Sequence, residues 1–267
     1  MLGGWLAWAA TRRVVLPRRA RVLGVGGDVR GGAGRTPLAI ALAGALGKGV
    51  VFVGHGYGGA AQEPRIVGRD DEVGEVGDEA LVAARTLGCP VVVGPRERAL
   101  HFAADLGSIL VVDRLLQTRP ARLACSVLAT HAPDPPSWRV QVADVVARIG
   151  SAELRVVVRL ERPLPARFGL VTSMARPERV VRSLAGLGLV AQRHVARGDH
   201  APFGARELRA LARTAREGAL EAWVVDAKTE VLLAGRDLGS PTICLRHAID
   251  PAPSWIARIR AFVGVSG

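Results

Sequence analysis

Aromatic residues are scarce in this chain: 4% of 267 positions, with five Trp, five Phe and one Tyr. The core must therefore rest on Val, Leu, Ala and Ile. The arginines are scattered and have no neighbouring aromatic platform, which argues against nucleic-acid binding, where basic residues work beside stacking rings. Cysteine is limited to Cys89, Cys125 and Cys244, far apart in apolar runs. They offer neither a metal-ligand spacing nor a paired disulfide framework, and read as buried thiols of a reducing compartment. No repeat of fixed period is present. The apolar N-terminal stretch is too short and too interrupted to span a bilayer. It also lacks the pattern of a signal peptide, because its charge follows the apolar part.

Hydrophobic residues make up 49% of the chain, enough for one large domain or two small ones. The net charge is +12, with arginine greatly outnumbering lysine. Such a charge suits an anionic membrane or phosphorylated substrates. An Arg- and Ala-rich composition is also what a GC-rich genome produces. Residues 1–16 carry Trp5 and Trp8 with Arg12 and Arg13 behind them, and Arg18, Arg19 and Arg21 follow. Two readings fit: an interfacial anchor helix at a membrane surface, or a helix packed on the protein's own core.

Between residues 22 and 130 short apolar runs alternate with helix-like segments. Strands are expected at 22–26, 50–54, 90–93, 109–113 and 125–129, and helices at 37–47, 77–87 and 96–106. The alternation predicts a mostly parallel sheet with helices on both faces. A Pro-rich break at 131–138 then leads into a second α/β half. Its expected strands are 143–149, 155–160, 168–172, 189–195, 222–226 and 242–246, and its helices 176–187, 204–217 and 252–263. Arg206, Arg209, Arg213 and Arg216 lie along the 204–217 helix at the spacing of a solvated face. The expected organisation is an N-terminal membrane-apposed helix (1–20), a phosphate-loop nucleotide-binding lobe (21–135) and a second α/β lobe (136–267).

Five clusters carry chemistry. Gly31-Gly32-Ala33-Gly34-Arg35-Thr36-Pro37 stands between a strand and a helix. Its glycines let backbone N–H groups crowd a phosphate, and the helix N-terminus adds its own. Arg35 occupies the usual lysine position, and Thr36 offers a hydroxyl for Mg²⁺. A ligand-free strand-to-helix turn fits the same residues. His55-Gly56-Tyr57-Gly58-Gly59 follows the next strand and permits close approach of a substrate. In Gly77-Asp78-Glu79, Asp78 suits a helix N-cap or a general base. Asp113 ends an apolar strand, the place of a metal-holding carboxylate in phosphate-loop proteins. Asp199-His200 reads either as a cap or as a site pair.

With these clusters in order, the chain resembles the tetraacyldisaccharide 4′-kinase family, the lipid A 4′-kinases. The resemblance runs from about residue 20 to about residue 230. It also draws on Val93-Gly94-Pro95-Arg96, Leu116-Gln117, and Ala175-Arg176-Pro177-Glu178-Arg179. It implies a two-lobed phosphate-loop fold that transfers the ATP γ-phosphoryl group, with Mg²⁺, to the 4′-hydroxyl of a lipid-linked disaccharide. The implied site faces the cytoplasmic side of the bacterial inner membrane. The resemblance places ATP on Gly31 to Pro37, the metal on Thr36 and Asp113, and the catalytic roles on Asp78, Arg35 and His200. The acceptor falls to Tyr57, Gly58, Gly59 and Arg96. The sequence departs from the family at several points. Arg35 stands for Lys, and the paired Asp-Asp-Gly reads Asp113-Arg114-Leu115. A Leu-Pro-Ala-Gly-Pro-Leu-Arg stretch is replaced by residues 131–138. A Thr-Glu-Lys-Asp motif is reduced to Asp226-Ala227-Lys228-Thr229. An inward Arg114 would repel Mg²⁺.

Overall fold

A computed structural model describes residues 13–29, 31–115, 119–120, 125–135, 140 and 143–264. The chain forms two compact units, Met1–Val156 with Ile249–Gly267, and Val157–Ala248.

The first unit is built on a seven-stranded sheet. Its strands are β2 (Arg21–Gly27), β3 (Val50–Val53), β4 (Arg65–Ile66), β5 (Val91–Val93), β6 (Ile109–Asp113), β8 (Cys125–Thr130) and β9 (Val145–Arg148). Their order is β4-β5-β3-β6-β2-β8-β9. Every neighbouring pair is parallel except β4 with β5 at the edge. A separate two-residue pair joins β1 (Arg13–Val14) to β7 (Arg119–Pro120). Central strands of a parallel sheet are covered on both sides, so they read as unbroken apolar runs. β3, β5 and β6 are buried along their whole length. The helices are α1 (Arg35–Leu46), α2 (Val73–Val76), α3 (Asp78–Thr86), α4 (Arg96–Leu106) and, from the chain's end, α8 (Pro253–Val263). Ala99, Leu100 and Ala103 of α4 pack on Val22, Val51, Val53, Leu110 and Val112, which form one face of the sheet. α1 lies against β2, β3 and β6, in contact with α3 and α8.

The second unit holds most of a five-stranded sheet. Its strands are β10 (Leu154–Leu160), β11 (Phe168–Ser173), β12 (Arg193–Arg197), β13 (Ala222–Asp226) and β14 (Thr242–Pro251), in the order β10-β14-β13-β11-β12. Its helices are α5 (Glu178–Gly186), α6 (Ala205–Glu217) and α7 (Ala227–Leu233). Alternate strand residues serve opposite faces. Leu170 and Val224 pack with Val180 and Leu184 of α5, while Val171, Trp223 and Val225 pack with Leu211 and Ala215 of α6.

The fold class is as expected; several boundaries are not. The division between units falls at Val156, past the Pro-rich segment, because β9 continues the first sheet by pairing in parallel with β8. Residues 131–135 thus follow β8 inside the first unit, and 136–138 lie outside the described residues. The strand expected at 189–195 starts only at Arg193. Leu189 N donates to Leu184 O, and Gly188 takes φ 73, so residues 187–189 close the α5 terminus instead. α1 begins at Arg35, since Pro37 is tolerated inside a first helical turn that needs no N–H there. Of the N-terminal segment, residues 1–12 lie outside the described residues, and Arg13–Val14 is a strand with Val14 buried. Among the described residues, no helix is long and apolar enough to cross a membrane.

Candidate active site

The C-terminal ends of β2, β3, β5, β6 and β8 share one edge of the first sheet, the edge where open α/β sheets collect ligands. β2 runs into the glycine loop. Gly31, Gly32 and Gly34 have φ of 80, 69 and 79, values that only glycine adopts without strain. The chain then enters α1 with Gly34 as cap. Leu38 N donates to Gly34 O at 3.1 Å. Pro37 has no N–H, so this helix start offers the amides of Arg35 and Thr36 to a ligand. Ala33 is buried under the turn, and the Arg35 stem lies across Gly27. A Cβ on Gly27 would stand 2.6 Å from Ala33 Cβ and 2.7 Å from Arg35 Cδ.

Thr36 and Asp113 meet. The Thr36 hydroxyl donates to Asp113 Oδ2 at 2.7 Å, fully inside the protein. The second oxygen, Asp113 Oδ1, is buried with no hydrogen-bond partner. A buried carboxylate oxygen left open next to a threonine hydroxyl with free lone pairs is a donor set that fits a hard divalent cation. Asp28, at the end of β2, is a residue the sequence reading passed over. Its Oδ2 accepts from Thr130 Oγ1 at 2.6 Å, and its Oδ1 is also buried and unpartnered. The two residues are 102 positions apart, so no local signal links them.

The loop after β3 interlocks with α2 and with Gly77, the residue between α2 and α3. Ala60 N and Ala61 N donate to Gly74 O and Glu75 O. A Cβ on Gly59 would stand 2.7 Å from Glu75 O, and one on Gly77 would stand 2.6 Å from Tyr57 O. Gly59 therefore serves loop packing, while Gly58 has nothing within 4 Å and stays open to approach. Gly77 (φ 85) caps α3, so Asp78 is its first residue and not the cap expected from sequence. Asp78 is 2% exposed and its Oδ1 accepts from Glu79 N at 2.7 Å.

Arg114 does not aim its charge at open solvent or stand unanswered. Its Nη2 donates to Glu79 Oε2 at 3.0 Å, and its guanidinium lies 5.5 Å from the centre of the Tyr57 ring. Arg96 begins α4, and its Nη1 is buried without a partner. Loss of water lowers the Arg96 pKa to about 10, with Asp113 raising it and Arg114 lowering it. His55 keeps part of its surface open, yet the surrounding protein strips enough solvent to lower its pKa to about 3. Arg96, Arg114 and Arg35 add to that shift, in that order. Three guanidinium groups thus act on one neutral imidazole. Positive charge gathered at a glycine loop favours phosphate groups.

His200 lies in the second unit. It takes φ 59, with Nε2 at 3.2 Å from Lys228 Nζ and 3.5 Å from Asp199 Oδ2. Lys228 also pairs with Asp199. Asp226 caps α7 by accepting from Lys228 N (3.0 Å) and Thr229 N (3.1 Å), and Thr229 Oγ1 accepts from Ser173 N at 2.8 Å. The Asp-Ala-Lys-Thr run thus builds a capped helix that presents Lys228 to the Asp199-His200 turn. Leu116 and Gln117 lie outside the described residues.

Residues 7–120 match the family model described as tetraacyldisaccharide-1-P 4′-kinase. The tetraacyldisaccharide 4′-kinase of Alkalilimnicola ehrlichii is 32% identical over 240 aligned positions, covering 76% of this chain and 71% of the relative. That of Methylobacterium radiotolerans is 31% identical, covering 91% and 86%. A solved structure described as the "apo" form of LpxK from Aquifex aeolicus in complex with ATP has the same fold. Its TM-score is 0.64 at 15% identity, covering 98% of this chain and 93% of that one. The chain belongs to the tetraacyldisaccharide 4′-kinase family, a family of ATP-dependent lipid kinases.

Proposed function

We propose that this protein transfers the γ-phosphoryl group of ATP to the 4′-hydroxyl of a tetraacyldisaccharide 1-phosphate in lipid A synthesis, working as a peripheral protein at the cytoplasmic face of the inner membrane. The observation that carries the reading is the buried Thr36–Asp113 hydrogen bond beside the glycine loop, with Asp113 Oδ1 left open. In this reading the amides of the 31–36 loop and Arg35 hold the nucleotide phosphates. Thr36 Oγ1 and Asp113 Oδ1 are the ligands for Mg²⁺, which when bound neutralises phosphate charge. Tyr57, Gly58, Gly59 and Arg96 receive the acceptor. Asp78 takes the proton of the 4′-hydroxyl as its oxygen bonds to phosphorus, and the bond to the bridging oxygen breaks with its electron pair leaving on ADP. No step is assigned to His200.

A second reading, a kinase-derived glycolipid- or nucleotide-binding protein without turnover, draws on Arg35 in place of lysine and Arg114 in place of a carboxylate. One experiment separates the two: Mg-ATP-dependent phosphorylation of a tetraacyldisaccharide 1-phosphate in detergent micelles, with Asp78→Asn as control. The expected result is transfer that falls at least ~10²-fold in the variant. A folded, lipid-binding preparation with no transfer sinks the kinase reading, and an Asp78→Asn protein as active as its parent sinks the base assignment.

A further inference from the structure

Arg114 stands where the family pattern carries a second carboxylate, directly after Asp113. Its backbone adopts φ 64, a left-handed conformation that costs a long side chain about 1 kcal/mol, and Arg114 N is pinned to Val25 O at 2.8 Å. The side chain is only 12% exposed. One terminal nitrogen meets both oxygens of Glu79 at 3.0 and 3.3 Å, and one face of the guanidinium covers Tyr57. Nε is buried and has no partner. Arg96 repeats the pattern, with Nη1 buried and unpartnered. Arg96 follows β5 and Arg114 follows β6, the two strands that flank β3 in parallel, so both stand at the same edge of the sheet. The nearby Asp113 already gives one oxygen to Thr36.

Each guanidinium thus keeps one buried donor that the neighbouring carboxylates do not use, and a buried donor left unmade is costly until an acceptor reaches it. A guanidinium offers N–H groups in a planar fork whose spacing matches phosphate oxygens. A role for Arg114 as a clamp on Glu79 alone leaves the Arg114 Nε and Arg96 Nη1 donors unexplained. We propose that Arg114 and Arg96 form a buried guanidinium pair that binds one phosphate-monoester group, so that the residue replacing the second carboxylate reads phosphate instead of metal. This rests on the kinase reading for the identity of the ligand. The phosphate has two sources, the terminal group of the nucleotide and the phosphate on the acceptor.

The test reads binding, not turnover, so it stands apart from the transfer assay above. Inorganic phosphate is titrated first, with melting temperature as readout, against the parent protein, Arg114→Ala, Arg114→Lys and Glu79→Gln. Phosphate is expected to stabilise the parent. Arg114→Ala should weaken phosphate about tenfold or more, the worth of a lost charge-assisted hydrogen bond, and Arg114→Lys should recover only part of it. Glu79→Gln removes the clamp but keeps the guanidinium, and should bind phosphate at least as well as the parent. The source follows from ATP against ADP, and from acceptor with and without its 1-phosphate. A loss in Arg114→Ala confined to ATP assigns the nucleotide, and one confined to the phosphorylated acceptor assigns the lipid. A parent that phosphate does not stabilise overturns the proposal. So do equal phosphate affinities in parent and Arg114→Ala, or equal losses in Arg114→Ala and Glu79→Gln, which would make Arg114 a clamp only.

Discussion

Gly77 is the residue on which the packing of the 55–61 loop against residues 74–77 depends, and Gly77→Ala tests that dependence against a control in the same loop pair. Gly77 has φ 85 and ψ 149, a region essentially reserved for glycine. Forcing an alanine there costs about 1–3 kcal/mol in backbone strain. The new methyl would also stand 2.6 Å from Tyr57 O and 3.1 Å from Gly56 C, both backbone atoms that no rotamer change can move aside. Overpacking of this kind costs about 1–3 kcal/mol more. The sum is about 2–6 kcal/mol, which for a unit of this size lowers its melting temperature by about 5–20 °C. Gly58→Ala is the control. Gly58 also has positive φ (78), but nothing lies within 4 Å of its added Cβ. Its cost is about 1 kcal/mol, or about 2–4 °C. Differential scanning calorimetry on both variants reads the comparison directly. Because Asp78 follows Gly77 and Tyr57 sits opposite, Gly77→Ala should also lose far more transfer activity than Gly58→Ala. Equal melting temperatures for the two variants would refute the claim that the loops are pressed together by missing side chains.

Other consequences are open to simpler assays. His55 is held near pKa 3 in the fold against an ordinary 6.5, so the unfolded chain binds the extra proton between those values. Its contribution to stability is full above about pH 6.5 and is lost as pH falls below it. His194 and His247 are shifted downward by burial and act in the same sense. Melting curves should therefore fall on acidification below pH 6.5, and His55→Gln should flatten that slope. Thr36→Val removes the hydroxyl that donates to Asp113 and should raise the Mg²⁺ concentration needed for nucleotide binding, whereas Thr36→Ser should keep it near the parent value. Burial pushes the Cys125 thiol up to about 12 and Cys244 upward as well, while Cys89 is less buried. A thiol reagent at mildly alkaline pH should label Cys89 first and reach the other two only on unfolding.

The sheet was legible because parallel strands buried on both faces must be apolar throughout, as Val50–Val53 and Ile109–Asp113 are. The same rule misled at residues 189–192, where Leu189 and Val190 resemble the start of a strand. Val190 is 79% exposed, and the strand proper, Arg193–Arg197, is a half-solvated edge with little apolar signal. Helix α2 is four residues long, too short for any periodicity to register. Thr36 and Asp113 could be paired from sequence because a glycine loop followed by a strand-ending aspartate has a fixed meaning. Asp28 with Thr130, and Glu79 with Arg114, could not. The first joins the ends of neighbouring strands β2 and β8, and the second joins the first turn of α3 to the residue after β6; both pairs are far apart in sequence and meet only in the fold.

Arginine at the loop position is a matter of space before it is one of charge. A guanidinium is broader than an ammonium and its stem needs a fixed course. In this fold the stem runs over Gly27, with Arg35 Cγ and Cδ at 2.8 and 2.7 Å from where a Cβ would be, and Ala33 at 2.6 Å on the same side. Any side chain at 27 would evict the arginine from its course. Glycine at the end of β2 and arginine at 35 are therefore one structural unit, and the arginine is oriented by packing before any phosphate arrives. In the proposed role on the nucleotide phosphates, that preorganisation would lower the entropy lost on binding and offset part of what a flexible lysine gains by reaching for the phosphates itself.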